Sequence, residues 1–262
     1  MSDWLHNLPV PLMALVVFGF TYFLAAAIYA GVAALADGER AKSFKTISPG
    51  MLPVLGIIFG LFVAFTAAQV WSDNERASSA VSREASALRS ALVLASSFPG
   101  EPEDRLRSLV RAYIEEAASV EWPMMARQTA SLKATPHPLT EALQLVLSLN
   151  TAGPGQQTAQ REIMTAIETA LDARRQRIII SRTEVNFVKW TCLYLQAVCA
   201  LAAMAMLHCD SRLTSGVAMG LFATGVAASV LLIAAHDRPF TGQISVSPES
   251  LLQIMPDAPA NE

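Results

Sequence analysis

Thr46 to Ser72 reads TISPGMLPVLGIIFGLFVAFTAAQVWS, with no charged residue between Lys45 and Asp73. A helix needs roughly 20 apolar residues to cross the hydrocarbon core of a bilayer, and this stretch supplies them. In lipid every backbone N–H and C=O must find its partner inside its own segment, so a stretch of this length reads as a helix rather than as part of an open sheet. Three further stretches share its character. No charge lies between His6 and Asp37 or between Arg212 and His236, and the run from Val188 to Leu207 is interrupted only by Lys189. The predicted fold is an all-α membrane protein with four transmembrane helices and a polar helical block inserted between the second and the third.

Composition agrees. Hydrophobic residues make up 53% of the chain and charged residues 16%, against about 25% charged in an average soluble domain. The net charge of −3 is small and basic residues interleave with acidic ones, which argues against nucleic acid as a partner. The first apolar stretch exceeds the roughly 7–15 residues of a secretory signal core, and its flank, Met1-Ser2-Asp3-Trp4, is not basic. It reads as a retained helix. Cys192, Cys199 and Cys209 form neither a disulfide framework nor a zinc pattern.

The predicted organisation is residues 1–71 for the first two spans, 72–187 for the helical block, 188–236 for the last two spans and 237–262 for a tail. Arg76, Arg83 and Arg89 follow the second span, and Arg174, Arg175, Arg177, Arg182 and Lys189 lead into the third. The other side offers Arg40, Lys42, Lys45 and Arg212. Positively charged residues concentrate on the cytoplasmic side, so the block, the tail and both termini are expected in the cytoplasm. Trp4, Trp71 and Trp190 sit near span ends, at the headgroup level.

Within the block, Leu106, Leu109, Val110, Tyr113, Ile114 and Ala117 recur at helical spacing, with Arg107, Arg111, Glu115 and Glu116 on the other side. Phe98-Pro-Gly-Glu-Pro102, Thr135-Pro-His-Pro138 and Ala152-Gly-Pro-Gly155 break it into helices. Pro123 is expected to start or kink one of them. No proline or glycine occurs between Gln69 and Ser97, which predicts that the second span continues as one helix. The same reasoning predicts one helix from Gln156 through the third span.

Enzyme chemistry finds little support. His6, His137, His208 and His236 are scattered, without ligand spacing. The glycine-rich Ala152-Gly-Pro-Gly155 lacks the Lys and Ser/Thr of a phosphate loop, and no serine sits in a Gly-x-Ser-x-Gly elbow. Neither a cofactor nor a metal is expected. Gly56-Ile-Ile-Phe-Gly60 and Gly216-Val-Ala-Met-Gly220 are small-xxx-small patterns suited to helix packing, within one subunit or between subunits. Ile57, Leu61 and Phe65 recur every four residues and share a face. That spacing fits a lipid-facing or packing surface as well as a constriction.

The segment Gly56-Ile-Ile-Phe-Gly-Leu-Phe-Val-Ala-Phe65, followed by Thr66-Ala-Ala-Gln-Val-Trp71 and Asn74-Glu-Arg-Ala-Ser-Ser-Ala-Val-Ser-Arg-Glu-Ala-Ser-Ala-Leu88, resembles the second transmembrane helix of bestrophin-like membrane proteins and its cytoplasmic continuation. After the fourth span, Asp237-Arg-Pro-Phe-Thr-Gly242 resembles the Pro-Phe-Gly turn of bestrophins, through Asp237, Arg238, Pro239, Phe240 and Gly242. The resemblance covers nearly the whole chain and is nearest to the bacterial bestrophin-like group. It implies a homopentamer around a central pore lined by the second helix. Bestrophins conduct chloride in animals, while bacterial relatives can pass cations. Their hydrophobic neck falls on Ile57, Leu61 and Phe65. Inorganic ions, the lipid bilayer and other copies of the chain are then the expected partners.

Two departures stand out. Calcium-gated animal bestrophins continue their turn with an acidic run, whereas Gln243-Ile-Ser-Val-Ser-Pro-Glu-Ser250 holds one carboxylate, too few for a hard cation that takes six or more oxygens. Thr66 follows Phe65 where bacterial bestrophins commonly place Arg. The expected function is a bestrophin-like, anion-conducting channel. Its rival is a non-conducting membrane scaffold whose helical block binds a partner protein.

Overall fold

A computed structural model describes residues 3–36, 39–133, 135–209 and 211–257. The described residues are helical, without strand. In chain order the helices are α1 (Asp3–His6), α2 (Val10–Leu35), α3 (Glu39–Ala95), α4 (Glu101–Glu116), a π-helical turn (Ala117–Glu121), α5 (Trp122–Ala126), α6 (His137–Ser148), α7 (Pro154–Ile180), α8 (Phe187–Leu207), α9 (Arg212–His236) and α10 (Glu249–Leu252). Four are long and apolar enough to cross a membrane: α2, the Gly50–Ala95 part of α3, α8 and α9.

The chain divides into two compact units. The first comprises Met1–Ser72, Glu184–Arg238 and Gly242–Ile244, the second Asp73–Thr183, Pro239–Thr241 and Ser245–Glu262.

In the first unit α2 packs on α8 and α9. Its buried stripe, Met13, Val17, Thr21 and Ala25, repeats every fourth residue, the spacing that keeps side chains on one face. Thr21 is tolerated there because its hydroxyl donates to the Val17 carbonyl at 2.8 Å. Met13, Val17, Phe59, Trp190, Leu193 and Val226 belong to one core, and Ala25, Leu201, Ala205, Met219 and Ala223 to another. Small residues dominate the second because close packing, rather than expulsion of water, holds helices together in lipid.

The second unit is built from the polar part of α3 with α4 to α7. α6 packs on both α4 and α7. The apolar face read from α4 is the buried one, with Val110 and Ile114 fully enclosed. The π-turn ends two positions before Pro123 and contains Ser119, four residues back from it. Proline lacks an N–H and its ring clashes with the carbonyl one turn back, and a wider turn relieves that clash.

α3 runs unbroken, as its lack of central breakers predicts. The expectation of one helix from Gln156 through the third span does not hold: α7 ends at Ile180 and α8 begins at Phe187. Residues that compete with the helix for backbone partners lie between them. Ser181 donates to Ile178 O at 2.8 Å, Thr183 to Ile180 O at 2.7 Å, and Asn186 Oδ1 accepts from Lys189 N at 2.9 Å as an N-cap. The Val185 N–H is taken by the Asp237 carboxylate at 2.6 Å. No proline or glycine was needed.

Candidate functional site: the exposed face of the second span

At 100° per residue, Ile57, Leu61 and Phe65 fall within about 80° of one another on α3, and Phe59, Thr66 and Val70 lie on the other side. Burial follows this division. Phe59, Thr66, Ala67 and Val70 are 7%, 5%, 8% and 3% exposed, while Ile57, Leu61 and Phe65 are 64%, 51% and 71% exposed. Phe59 stacks at a tilt on Phe222 of α9, centroids 5.8 Å apart. Thr66 donates its hydroxyl proton to Phe62 O at 2.8 Å and so offers no donor outward. The helix is anchored by one face and leaves an apolar face open.

The glycines behave differently from ordinary packing sites. A Cβ at Gly56, Gly60, Gly216 or Gly220 would meet no atom within 4 Å. None of the four is a close approach of helices within one chain.

The residues after α9 are fixed by contacts within each unit. In the first unit Asp237 Oδ2 lies 3.2 Å from His6 Nε2, its other oxygen accepts from Val185 N, and Arg238 donates to Glu184 at 2.7 Å. Gly242 has φ +89°, and a Cβ there would come within 3.0 Å of the His6 carbonyl oxygen, so both conformation and space demand glycine. In the second unit Phe240 meets the Trp122 ring edge-on at 5.7 Å, and Pro239 O accepts from Val246 N at 2.7 Å.

A buried charged group in the second unit escaped the sequence reading. Arg177 donates to Glu84 through Nε and Nη2 and to Glu121 through Nη2 at 2.9 Å. Arg174 donates to Glu121 at 2.7 and 2.5 Å, and Tyr113 donates to Glu84. The Arg177 guanidinium also sits 4.6 Å from the centre of the Trp122 ring. Burial pulls the guanidinium pKa down, but Glu84 above all outweighs it, and the net shift is upward. Burial, then the Glu84 charge, pushes the Tyr113 phenol well above its ordinary value. A signal was present: Glu84 interrupts the apolar series Ala77, Ala80, Val81, Leu88, Ala91, and Arg177 interrupts Ile163, Ile167, Ala170, Ala173. Two of the arginines counted toward orientation, Arg174 and Arg177, are thus neutralised inside the bundle. The side chains of Arg40, Lys42 and Lys45 lie outside the described residues.

A family model for the bestrophin-like domain matches residues 19–251. The chain belongs to the bestrophin-like family. Its fold matches solved structures of a bacterial bestrophin homologue from Klebsiella pneumoniae. One point variant of that protein superposes with a TM-score of 0.69 at 14% identity, covering 91% of this chain and 96% of that one. Another gives 0.67 at 13% identity over 90% and 98%, and a third 0.66 at 12% over 94% and 97%. A comparison with curated proteins finds no match. At such low identity the likeness to these structures is one of fold.

Proposed function

We propose that this bestrophin-like chain assembles as a ring of identical subunits, five by analogy, and conducts inorganic ions along the exposed face of α3. Ile57, Leu61 and Phe65 form the hydrophobic neck. The observation that carries this reading is the exposure of these three large side chains on a helix whose opposite face is packed, in a chain of this family. An apolar ring of that kind gates by shedding water. Gly56, Gly60, Gly216 and Gly220, uncrowded within the chain, supply contacts between copies.

Anions are the preferred ions. Between Ser78 and Ser90 every exposed position of α3 is Ser or Arg: Ser78, Ser79, Ser82, Arg83, Ser86, Arg89 and Ser90. The one carboxylate in that stretch, Glu84, is buried against Arg177. Above this stretch Glu75 and Arg76 are also exposed, so Arg76, Arg83 and Arg89 outnumber the one exposed carboxylate, and a net positive wall raises the local concentration of anions. The central block and the termini face the cytoplasm of the bacterial inner membrane, as the remaining basic residues favour.

Purified protein sized in mild detergent and in native lipid, then reconstituted for chloride flux in liposomes, tests the proposal. A ring that conducts above empty liposomes is the expected result. A monomer, or an assembly that never conducts, leaves the scaffold reading instead.

A further inference from the structure

Ile57, Leu61 and Phe65 recur every fourth residue, and the next member of that series is Gln69. At 100° per residue it lies about 40° further round α3 than Phe65, one turn nearer to Ser72. Gln69 is exposed. Thr66 is 5% exposed and donates its hydroxyl proton to Phe62 O, so Gln69 is the first polar side chain after Phe65 that α3 turns outward.

Its conformation is set from α8, within the first unit. Val70 and Trp190, the chain neighbours of Gln69 and Lys189, are 3% and 4% exposed and belong to one core. Asn186 Oδ1 accepts from Lys189 N at 2.9 Å and fixes the backbone there. From that root the half-buried Lys189 side chain reaches α3, where its ammonium donates to Gln69 Oε1. Lys189 is the one charged residue from Val188 to Leu207.

The chemistry of the pair has two consequences. An ammonium carries donors and no acceptor, so the Gln69 amide keeps its oxygen toward α8 and presents the two N–H donors of Nε2 on the other side. The acceptor is neutral, so among the described residues no carboxylate cancels the charge of Lys189. Asp73, one turn beyond Gln69, pairs with Arg76 at 3.7 Å. Hydrogen bonds in series polarise one another, and an amide that accepts from a cation donates more strongly through its nitrogen.

We propose that Gln69 and Lys189 form an anion site at the Ser72 end of the hydrophobic neck, with Gln69 Nε2 touching the ion and Lys189 as the positioning residue behind it. This rests on the ring of subunits with α3 as its inner wall put forward above. The ligand is a small inorganic anion, with chloride as the probe. An ion about to pass the apolar circle of Phe65 must shed water, and a circle of N–H donors replaces part of that shell where apolar side chains cannot. A cation meets the same donors, and the charges behind them, as a barrier. The pair gives the neck its own preference for anions, in addition to that of the arginines on the polar part of α3.

The test measures chloride-to-potassium permeability ratios of the reconstituted protein from reversal potentials in a potassium chloride gradient. The wild type should favour chloride. Lys189→Gln, which removes the charge and keeps a donor for Gln69, and Gln69→Leu, which removes the N–H groups, should each lower the ratio several-fold. Combined, they should lower it no further than either alone, because two residues that act through one contact are not additive. Lys189→Arg, which keeps charge and donors, should keep the chloride preference. A conducting ring whose ratio is unchanged in both single variants overturns the site and leaves the channel standing, with Lys189 an interfacial anchor only. A combined loss equal to the product of the single losses overturns the positioning role of Lys189. Where one single variant fails to assemble, the other decides. A wild-type ring that never conducts removes the site and the channel together.

Discussion

Arg177 on α7 and Glu84 on α3, 93 positions apart in the chain, meet in a two-point ion pair, Nε to Oε2 at 2.8 Å and Nη2 to Oε1 at 3.0 Å, with neither side chain exposed to any degree. Removing one partner strands a buried charge, which costs about 3–5 kcal/mol. Glu84→Gln should lower stability by that order. Replacing the whole group, as Glu84→Leu with Arg177→Met and Tyr113→Phe, should cost far less, since no buried hydroxyl is left without its acceptor and Glu121 and Arg174 still neutralise each other. Thermal unfolding of the two variants measures the contrast; equal losses would show that the pair adds nothing beyond packing.

Tyr113 gives a pH-dependent counterpart. Its phenol pKa is raised in the folded protein by burial and by Glu84, so the folded state holds the phenolic proton more tightly than the unfolded state. The stabilisation is complete below the unfolded value near 10 and falls away as the pH rises above it. The phenolate absorbance that the folded protein gains as the pH is raised to about 10 to 11 should be the same with and without Tyr113→Phe. A loss of phenolate signal in that variant would mean that the hydroxyl titrates freely.

Gly60 separates contacts within the chain from contacts between copies. Open space surrounds it, so Gly60→Leu should leave the fold of one subunit intact. At a helix contact between copies the same side chain would force backbones apart. The variant should run as a smaller assembly in detergent with unchanged helical content. An assembly of wild-type size would remove Gly60 from the interface.

Single cysteines at Ser148 and Ser43, in a background lacking Cys192, Cys199 and Cys209, report the topology. Ser148, at the end of α6, should react with an impermeant maleimide only once the cytoplasmic side is opened. Ser43 should react in intact spheroplasts. Reversal of the two would invert the orientation and the placement of the helical block.

The spans were legible from their length and composition, and the buried face of α4 from its hydrophobic periodicity. Phe59 and Phe65 lie on different sides of α3 and differ in exposure, but in a span that is apolar all round the sequence does not say which side is packed. The interruption after Ile180 was not legible, since it is made by Ser181, Thr183 and Asn186 acting on local backbone together with Asp237, a residue 52 positions from Val185. The Glu84–Arg177 pair escaped the sequence reading for a related reason: charge on a helix defaults to solvent, and only the partner's position in space brings it inside. Ile57, Leu61 and Phe65 were legible as a shared face but not as a pore wall, because one chain does not contain the symmetry axis that would distinguish ions from lipid in front of that face.

The neck separates these readings. In a ring of subunits Ile57, Leu61 and Phe65 each contribute a circle of apolar groups, and water in so narrow an apolar tube is unstable, so ions meet a barrier. Replacing all three by Ala widens the tube and should raise chloride flux in liposomes. Because the three are exposed in the chain, the substitution should cost the subunit little stability. Phe59→Ala supplies the contrast, since it empties a packed site between α3 and Phe222, and truncating a buried Phe costs about 3–5 kcal/mol. That variant should lose folded protein without a gain in conductance per assembled ring. Should the triple variant assemble normally and conduct as the wild type does, Ile57, Leu61 and Phe65 face lipid, and the narrow point of any ion path lies elsewhere.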